Sequence, residues 1–225
     1  MSLKLAELSR SMPDSFVTLG DETPFVIDLK YTSDNNLMGR PLAGYESDSQ
    51  ACLTLPALHG LLKLHECIQN TDIKKAFNIH EPRVLIFDSY RPQRASEDFW
   101  QWAHSACDKN KLDYYPNVDK ADFFELGYIV RRSSHSRGST VDCNIVDVSG
   151  SQIKAVDMGT CFDFMDILSH PANTQVSTKV YQNRQLLQRL MRECGFVGIE
   201  QEWWHFTLID EPFPDTYFDF PFPKR

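Results

Sequence analysis

Two short stretches of the 225-residue chain carry residue types able to hold a metal ion and move a proton. The first is Ser133-Ser134-His135-Ser136-Arg137-Gly138-Ser139-Thr140-Val141-Asp142, and the second is Glu202-Trp203-Trp204-His205. A catalytic zinc ion takes three protein ligands from His, Asp, Glu or Cys and keeps a fourth position for water. His135 and Asp142 flank Gly138, where a glycine lets the chain reverse, so two neighbouring strands could each aim one ligand at a common point. The alternating pattern after Ser139 sets Asp142 on one face of a strand and Val141 and Cys143 on the other. An aspartate on the buried side of an otherwise apolar strand is costly unless it is paired or bound to metal. His205 can supply the third ligand, and Glu202 can serve as the base for a bound water. In a flat strand positions 202 and 205 face opposite ways, so this reading demands that Glu202 sit on a bend ahead of the strand.

Each of these residues also has a plain structural explanation. A lone buried His or Asp is more often a satisfied core group than a ligand. Glu202 alone would be a strand-edge carboxylate, and Trp203 and Trp204 alone would be core or pocket wall. What favours the chemical reading is the combination of H-x-x-G-x-x-x-D with E-x-x-H. Arg91 is a further candidate. It follows an apolar run in Asp88-Ser89-Tyr90-Arg91-Pro92, where a guanidinium could donate to a developing oxyanion, or could equally be an ion-pair partner of Asp88. Other groupings are weaker: His104, Cys107 and Asp108 would share a solvated helix face, and His59 and His65 lack an H-E-x-x-H context. No G-x-S-x-G elbow is present, which argues against a serine hydrolase.

The elements that must position these groups alternate without a regular βαβ period. Pro24 to Tyr31 is β-like, and Leu55 to Ile68 has helical apolar spacing after a Thr-Leu-Pro start. Arg83 to Phe87 has strand length and is followed, past Pro92, by a helical stretch to about Lys109. Ser139 to Val148 alternates as a strand, and Lys179 to Cys194 is an amphipathic helix with Gly195 at its C-cap. Trp203 to Ile209 reads as a strand. The expectation is an α+β fold, a single domain over 1–225 with a central antiparallel sheet, packed helices and a metal-holding cleft.

Bulk properties narrow the function further. A formal net charge of −8 and no basic run longer than two residues argue against a nucleic-acid partner. No apolar span of membrane-crossing length occurs. Met1 to Gly20 lacks the unbroken hydrophobic stretch of a signal peptide, and the six cysteines form no C-x-x-C pair. Reduced thiols in a cytoplasm are the expectation.

The combination S-x-H-x-x-G-x-x-x-D with E-x-x-H resembles the zinc D-Ala-D-Ala peptidases, and within them the VanX-type D-alanyl-D-alanine dipeptidases. The resemblance extends to Ile27–Tyr31 with Asp34–Asn36 and Gly39–Pro41, to Asp88–Pro92, to Met158–Thr160 with Phe162–Asp166, and to the tail from Phe206 to Phe222. It implies one zinc ion per chain held by His135, Asp142 and His205, Glu202 as general base, and Arg91 as stabiliser of the tetrahedral intermediate. Ser133 and Asp163 match positions that contact the dipeptide, Asp163 through its ammonium group. The implied substrate is the small dipeptide D-alanyl-D-alanine. The alternatives are a D,D- or L,D-carboxypeptidase acting on peptidoglycan stem peptides, and a non-catalytic zinc-stabilised binding domain. No pattern speaks to oligomeric state.

Overall fold

A computed structural model describes residues 12–224; the expectation about a signal stretch in Met1 to Gly20 lies largely outside the described residues. In chain order the elements are strands β1 (Phe16–Thr18), β2 (Phe25–Ile27) and β3 (Cys52–Thr54), then helices α1 (Leu55–Ile68) and α2 (Thr71–Phe77). Strand β4 (Pro82–Asp88) precedes α3 (Gln93–Ala103) and the single turn α4 (Lys111–Tyr114). Strands β5 (Thr140–Asp147) and β6 (Lys154–Ala155), helix α5 (Thr178–Glu193), and strands β7 (Phe196–Gly198) and β8 (His205–Leu208) complete the chain. The main sheet runs β2-β4-β5-β8-β7, with β6 beside β5. Every pair in it is antiparallel except β2 with β4, which is parallel. Strands β1 and β3 form a separate antiparallel pair. The architecture is the expected α+β one.

Helix α1 forms where its apolar spacing and an early proline direct it, burying Ala57, Leu61, Leu64 and Ile68. A Cβ at Gly60 would lie 2.5 Å from the Phe196 ring, so glycine there lets the helix close on β7. Helix α5 is capped by the Ser177 hydroxyl, which accepts from the Val180 amide at 3.2 Å, and ends before Gly195 at φ +92. Helices α1 and α5 touch each other and lie against β4 and β7 respectively. Among the described residues no helix is long and apolar enough to cross a membrane.

All eight residues of β5 are buried, which places it at the centre of the sheet. Val141, Cys143 and Ile145 are fully buried on one side, and Asp142 and Asn144 project from the other, as the alternation predicts. The register then does the positioning. Asp142 pairs with His205 on β8 and, past a bulge at Phe87, with Asp88 on β4. Three polar residues from three adjacent strands thus share one stretch of one face.

Several expectations shift. The β-like segment 24–31 yields only the three residues of β2 before a 3-10 turn at Lys30–Thr32. The helix after Pro92 stops at Ala103 rather than near Lys109. There the Ser105 hydroxyl takes the Trp102 carbonyl, and the Lys120 ammonium caps the carbonyls of Trp102, Ser105 and Cys107, giving the backbone partners other than the next helical turn. His135 stands not on a strand but on the 3-10 turn Ser134–Arg137, which ends at Gly138 with φ +84. A Cβ at Gly138 would come within 2.1 Å of the Phe16 ring, so space as well as backbone angle selects glycine.

The connection between β6 and α5 has no long regular element, yet its two stems are held by consecutive side chains of α5. Asn183 donates to the Asp157 carbonyl at 2.8 Å. Arg184 donates from Nε to Met158 O at 2.8 Å and from Nη1 to His170 O at 2.9 Å, and Gln185 donates to Pro171 O at 2.9 Å.

Candidate metal centre and its cleft

The seven residues singled out in the sequence, Arg91, Ser133, His135, Asp142, Asp163, Glu202 and His205, all line one cleft of about 310 Å³. That is the small end of the range for ligand pockets. At its floor the ligating atoms of His135, Asp142 and His205 lie within 4.8 Å of one another. His135 Nε2 is 3.3 Å from His205 Nδ1 and 3.2 Å from Asp142 Oδ2. His205 Nδ1 is 3.1 Å from Asp142 Oδ1.

The outward nitrogens decide what the inward ones can do. His135 Nδ1 is 2.6 Å from the Ser89 carbonyl, which has no proton to give, so this nitrogen is the donor and Nε2 presents a lone pair to the centre. His205 Nε2 is 3.1 Å from the Ser134 hydroxyl, a partner that lets it keep its proton and frees Nδ1. Burial holds the His205 imidazole below its usual pKa, which favours the neutral, ligating form. Burial alone would raise the Asp142 carboxyl, but the flanking imidazoles outweigh it and hold the group below the usual carboxylate range. Asp142 Oδ1 is buried without a hydrogen-bond donor. Lone pairs that face one another around an orphaned carboxylate oxygen repel unless a cation sits among them. Ligands about 2.0–2.1 Å from a tetrahedral ion stand about 3.3 Å apart, close to the separations here. The donor set therefore fits a zinc-type ion.

Glu202 stands on the bend ahead of β8, where the strand-face argument required it, with Oε2 3.6 Å from His205 Nδ1. Burial, and then the charges of Asp142 and Asp163, push its carboxyl well above the ordinary range. A neighbouring cation would oppose that shift.

Arg91 is the ion-pair partner of Asp88 that one of its two readings expected. Its Nε and Nη2 hold Asp88 Oδ2 at 2.9 and 2.8 Å, while Nη2 also stands 3.6 Å from Asp142 Oδ2. The guanidinium lies over the rings of Tyr31 and Phe99, 5.0 and 5.2 Å from their centroids. Asp88 is wholly buried, and its other oxygen accepts from the Tyr45 hydroxyl at 2.7 Å.

Ser133 caps the turn that bears His135, its hydroxyl oxygen accepting from the His135 amide at 3.3 Å. Its own proton remains free to donate into the cleft. Asp163 lines the same cleft as His135, Asp142 and His205 and has φ +64, one of two non-glycine residues with positive φ among those described. Such a conformation on a polar residue in a cleft is a common mark of function. Both of its oxygens accept from the Tyr31 hydroxyl, at 3.0 and 2.9 Å. Burial and the Asp142 charge raise its carboxyl to about 8.

Sequence reasoning did not single out Tyr31, Tyr45 or Ser134. Tyr31 lay within a segment read as strand. Tyr45 had no motif around it, and Ser134 was hidden inside the ligand motif itself.

The chain matches the family model for D-Ala-D-Ala dipeptidases over residues 22–223. It is 39% identical over 197 residues to a D-alanyl-D-alanine dipeptidase of Enterococcus faecium, covering 86% of this chain and 91% of that protein. It is similar to one from Streptomyces coelicolor, 36% identical with 86% and 91% covered. Another from Escherichia coli is 32% identical with 81% and 78% covered.

Proposed function

The chain belongs to the D-Ala-D-Ala dipeptidase family, and from that premise we propose that it hydrolyses D-alanyl-D-alanine to two D-alanine molecules with one zinc ion held by His135, Asp142 and His205. The observation that carries this reading is the convergence of three ligating side chains beside a buried carboxylate and a buried guanidinium in one small cleft. The whole chain, 1–225, is taken as one catalytic domain, and its unpaired thiols suit a cytoplasmic setting.

When bound, zinc polarises the scissile carbonyl and lowers the pKa of water to about 7. The remaining work falls to the protein. Glu202, buried in the cleft with Oε2 3.6 Å from His205 Nδ1, takes the proton of the attacking water and passes it to the leaving amine. Arg91, fixed by Asp88 and by the two aromatic rings beneath it, keeps an Nη group near the ligand cluster to receive the charge developing on the carbonyl oxygen. Asp163 receives the substrate ammonium, and the free hydroxyl proton of Ser133 is offered to the dipeptide. A short substrate carrying both end charges suits the small cleft, whereas a stem peptide would bring an uncharged amide to Asp163.

The test is D-alanine release from D-Ala-D-Ala by purified protein, before and after the metal is stripped and zinc restored. Zinc-dependent release is expected. A folded, zinc-loaded protein that releases D-alanine only from a D-Ala-D-Ala-ended pentapeptide would overturn the dipeptidase reading in favour of a carboxypeptidase.

A further inference from the structure

Arg184 is fully buried on α5, in a stripe whose other members include Val180, Leu187, Leu190 and Met191. A buried guanidinium without a close counter-charge is expensive to maintain; among the described residues no carboxylate is in ion-pair contact with this one, the charge of Asp157 acting on it only from farther off. Burial pulls its pKa down to about 10, still far above neutrality, so it remains a cation. Its donors are directed at main-chain oxygens. Nε and Nη2 reach Met158 O at 2.8 and 2.5 Å, and Nη1 reaches His170 O at 2.9 Å. These oxygens belong to the two stems of the connection that carries Asp163.

The same connection is tied on its other side to the catalytic segment. Trp203 Nε1 donates to Thr160 Oγ1 at 2.9 Å, and Thr160 Oγ1 bonds Ser169 Oγ at 2.9 Å. Nothing in the packing of α5 calls for a charge at position 184, whereas joining two carbonyls that face different ways calls for a planar fork of donors.

The geometry points to Arg184 as a positioning residue for substrate binding: by fixing the spacing of the two stems it holds the Asp163 carboxylate where the dipeptide ammonium arrives. This rests on the role proposed above for Asp163. The proposed metal ligands stand on β5, β8 and the Ser134–Arg137 turn, none of which Arg184 bonds. Loosening Arg184 therefore acts first on the ammonium site and reaches the ligand cluster only through the Thr160–Trp203 bond.

The experiment compares zinc-loaded wild type, Asp163→Asn, Arg184→Lys and Arg184→Met. KM for D-Ala-D-Ala is expected to rise on the order of tenfold in Arg184→Met and less in Arg184→Lys, with kcat per bound zinc within about threefold of wild type. Amide exchange across residues 160–165 is expected to quicken in both. A purely structural role would instead lower the active fraction, reducing kcat at unchanged KM. Unchanged KM together with unchanged exchange overturns the inference. If Arg184→Met does not fold, Arg184→Lys, which keeps the charge, carries the test. If wild type fails to cleave the dipeptide, or Asp163→Asn leaves KM unaltered, the underlying functional reading fails; the exchange result then decides whether Arg184 orders the loop.

Discussion

The two walls of the cleft are built by different means. On one, Asp88, Asp142 and His205 stand in register on β4, β5 and β8, each fixed by a ladder of backbone hydrogen bonds in the middle of a sheet. On the other, Asp163 stands at φ +64 on an irregular connection whose stems are gripped by α5 side chains and whose middle is tied to Trp203. A ladder allows little adjustment, which suits Asp142 and His205, two of the three proposed ligands of a metal ion that must be met to within tenths of an ångström. The third, His135, is held by the Ser134–Arg137 turn. A pinned loop keeps more freedom, which suits recognition of a charged group on a substrate. The roles proposed above divide along the same line, rate falling to the first wall and affinity to the second.

Changes on the sheet side should be the most damaging. Glu202→Gln is expected to lower kcat by about 10³-fold with zinc content, measured by atomic absorption, unchanged; undiminished turnover would place the base elsewhere. Arg91→Lys is expected to cost about 10²-fold in kcat, because a compact ammonium lacks the planar fork that holds Asp88 through Nε and Nη2 while turning a further N–H toward the cleft. Steady-state kinetics on the zinc-loaded variant checks this. Across the cleft, Asp163→Asn should raise KM about tenfold or more with little change in kcat, the cost of a lost charge-assisted hydrogen bond. A kcat collapse as deep as that of Glu202→Gln would erase the division between the walls. The smallest effect is expected from Thr160→Val, which leaves Trp203 Nε1 and Ser169 Oγ without their shared partner. A loss of about 1–2 kcal/mol would lower Tm by a few degrees in thermal unfolding.

The sheet side was also the more legible one. His135, Asp142, Glu202 and His205 fall in two compact patterns. The alternation of Val141, Asp142 and Cys143 told which way the carboxylate faces, and the period of the strand required a bend at Glu202. Helix α1 was readable to the residue because its apolar spacing and its proline agree. The loop side was opaque to residue chemistry, and Asp163 was reached only through resemblance to a family. Its partner Tyr31 is 132 positions away, and no local pattern announces a hydrogen bond of that span. Arg184 sat in a helix read correctly as amphipathic, where an arginine is taken for a solvent-facing residue until its burial is seen. Strands β1, β3 and β7, with three residues each, are too short for any period to register.

The grip of α5 on the Asp163 connection falls entirely on carbonyl oxygens, those of Asp157, Met158, His170 and Pro171. Such bonds are blind to side-chain identity, because every residue offers the same oxygen; the exception is Gly159, where a Cβ would lie 2.7 Å from Val180 of α5. The path of the loop can therefore be inherited while the residues displayed along it are exchanged. That makes this wall the natural ground for evolution, or an engineer, to retune which small peptide enters without rebuilding the centre that cuts it.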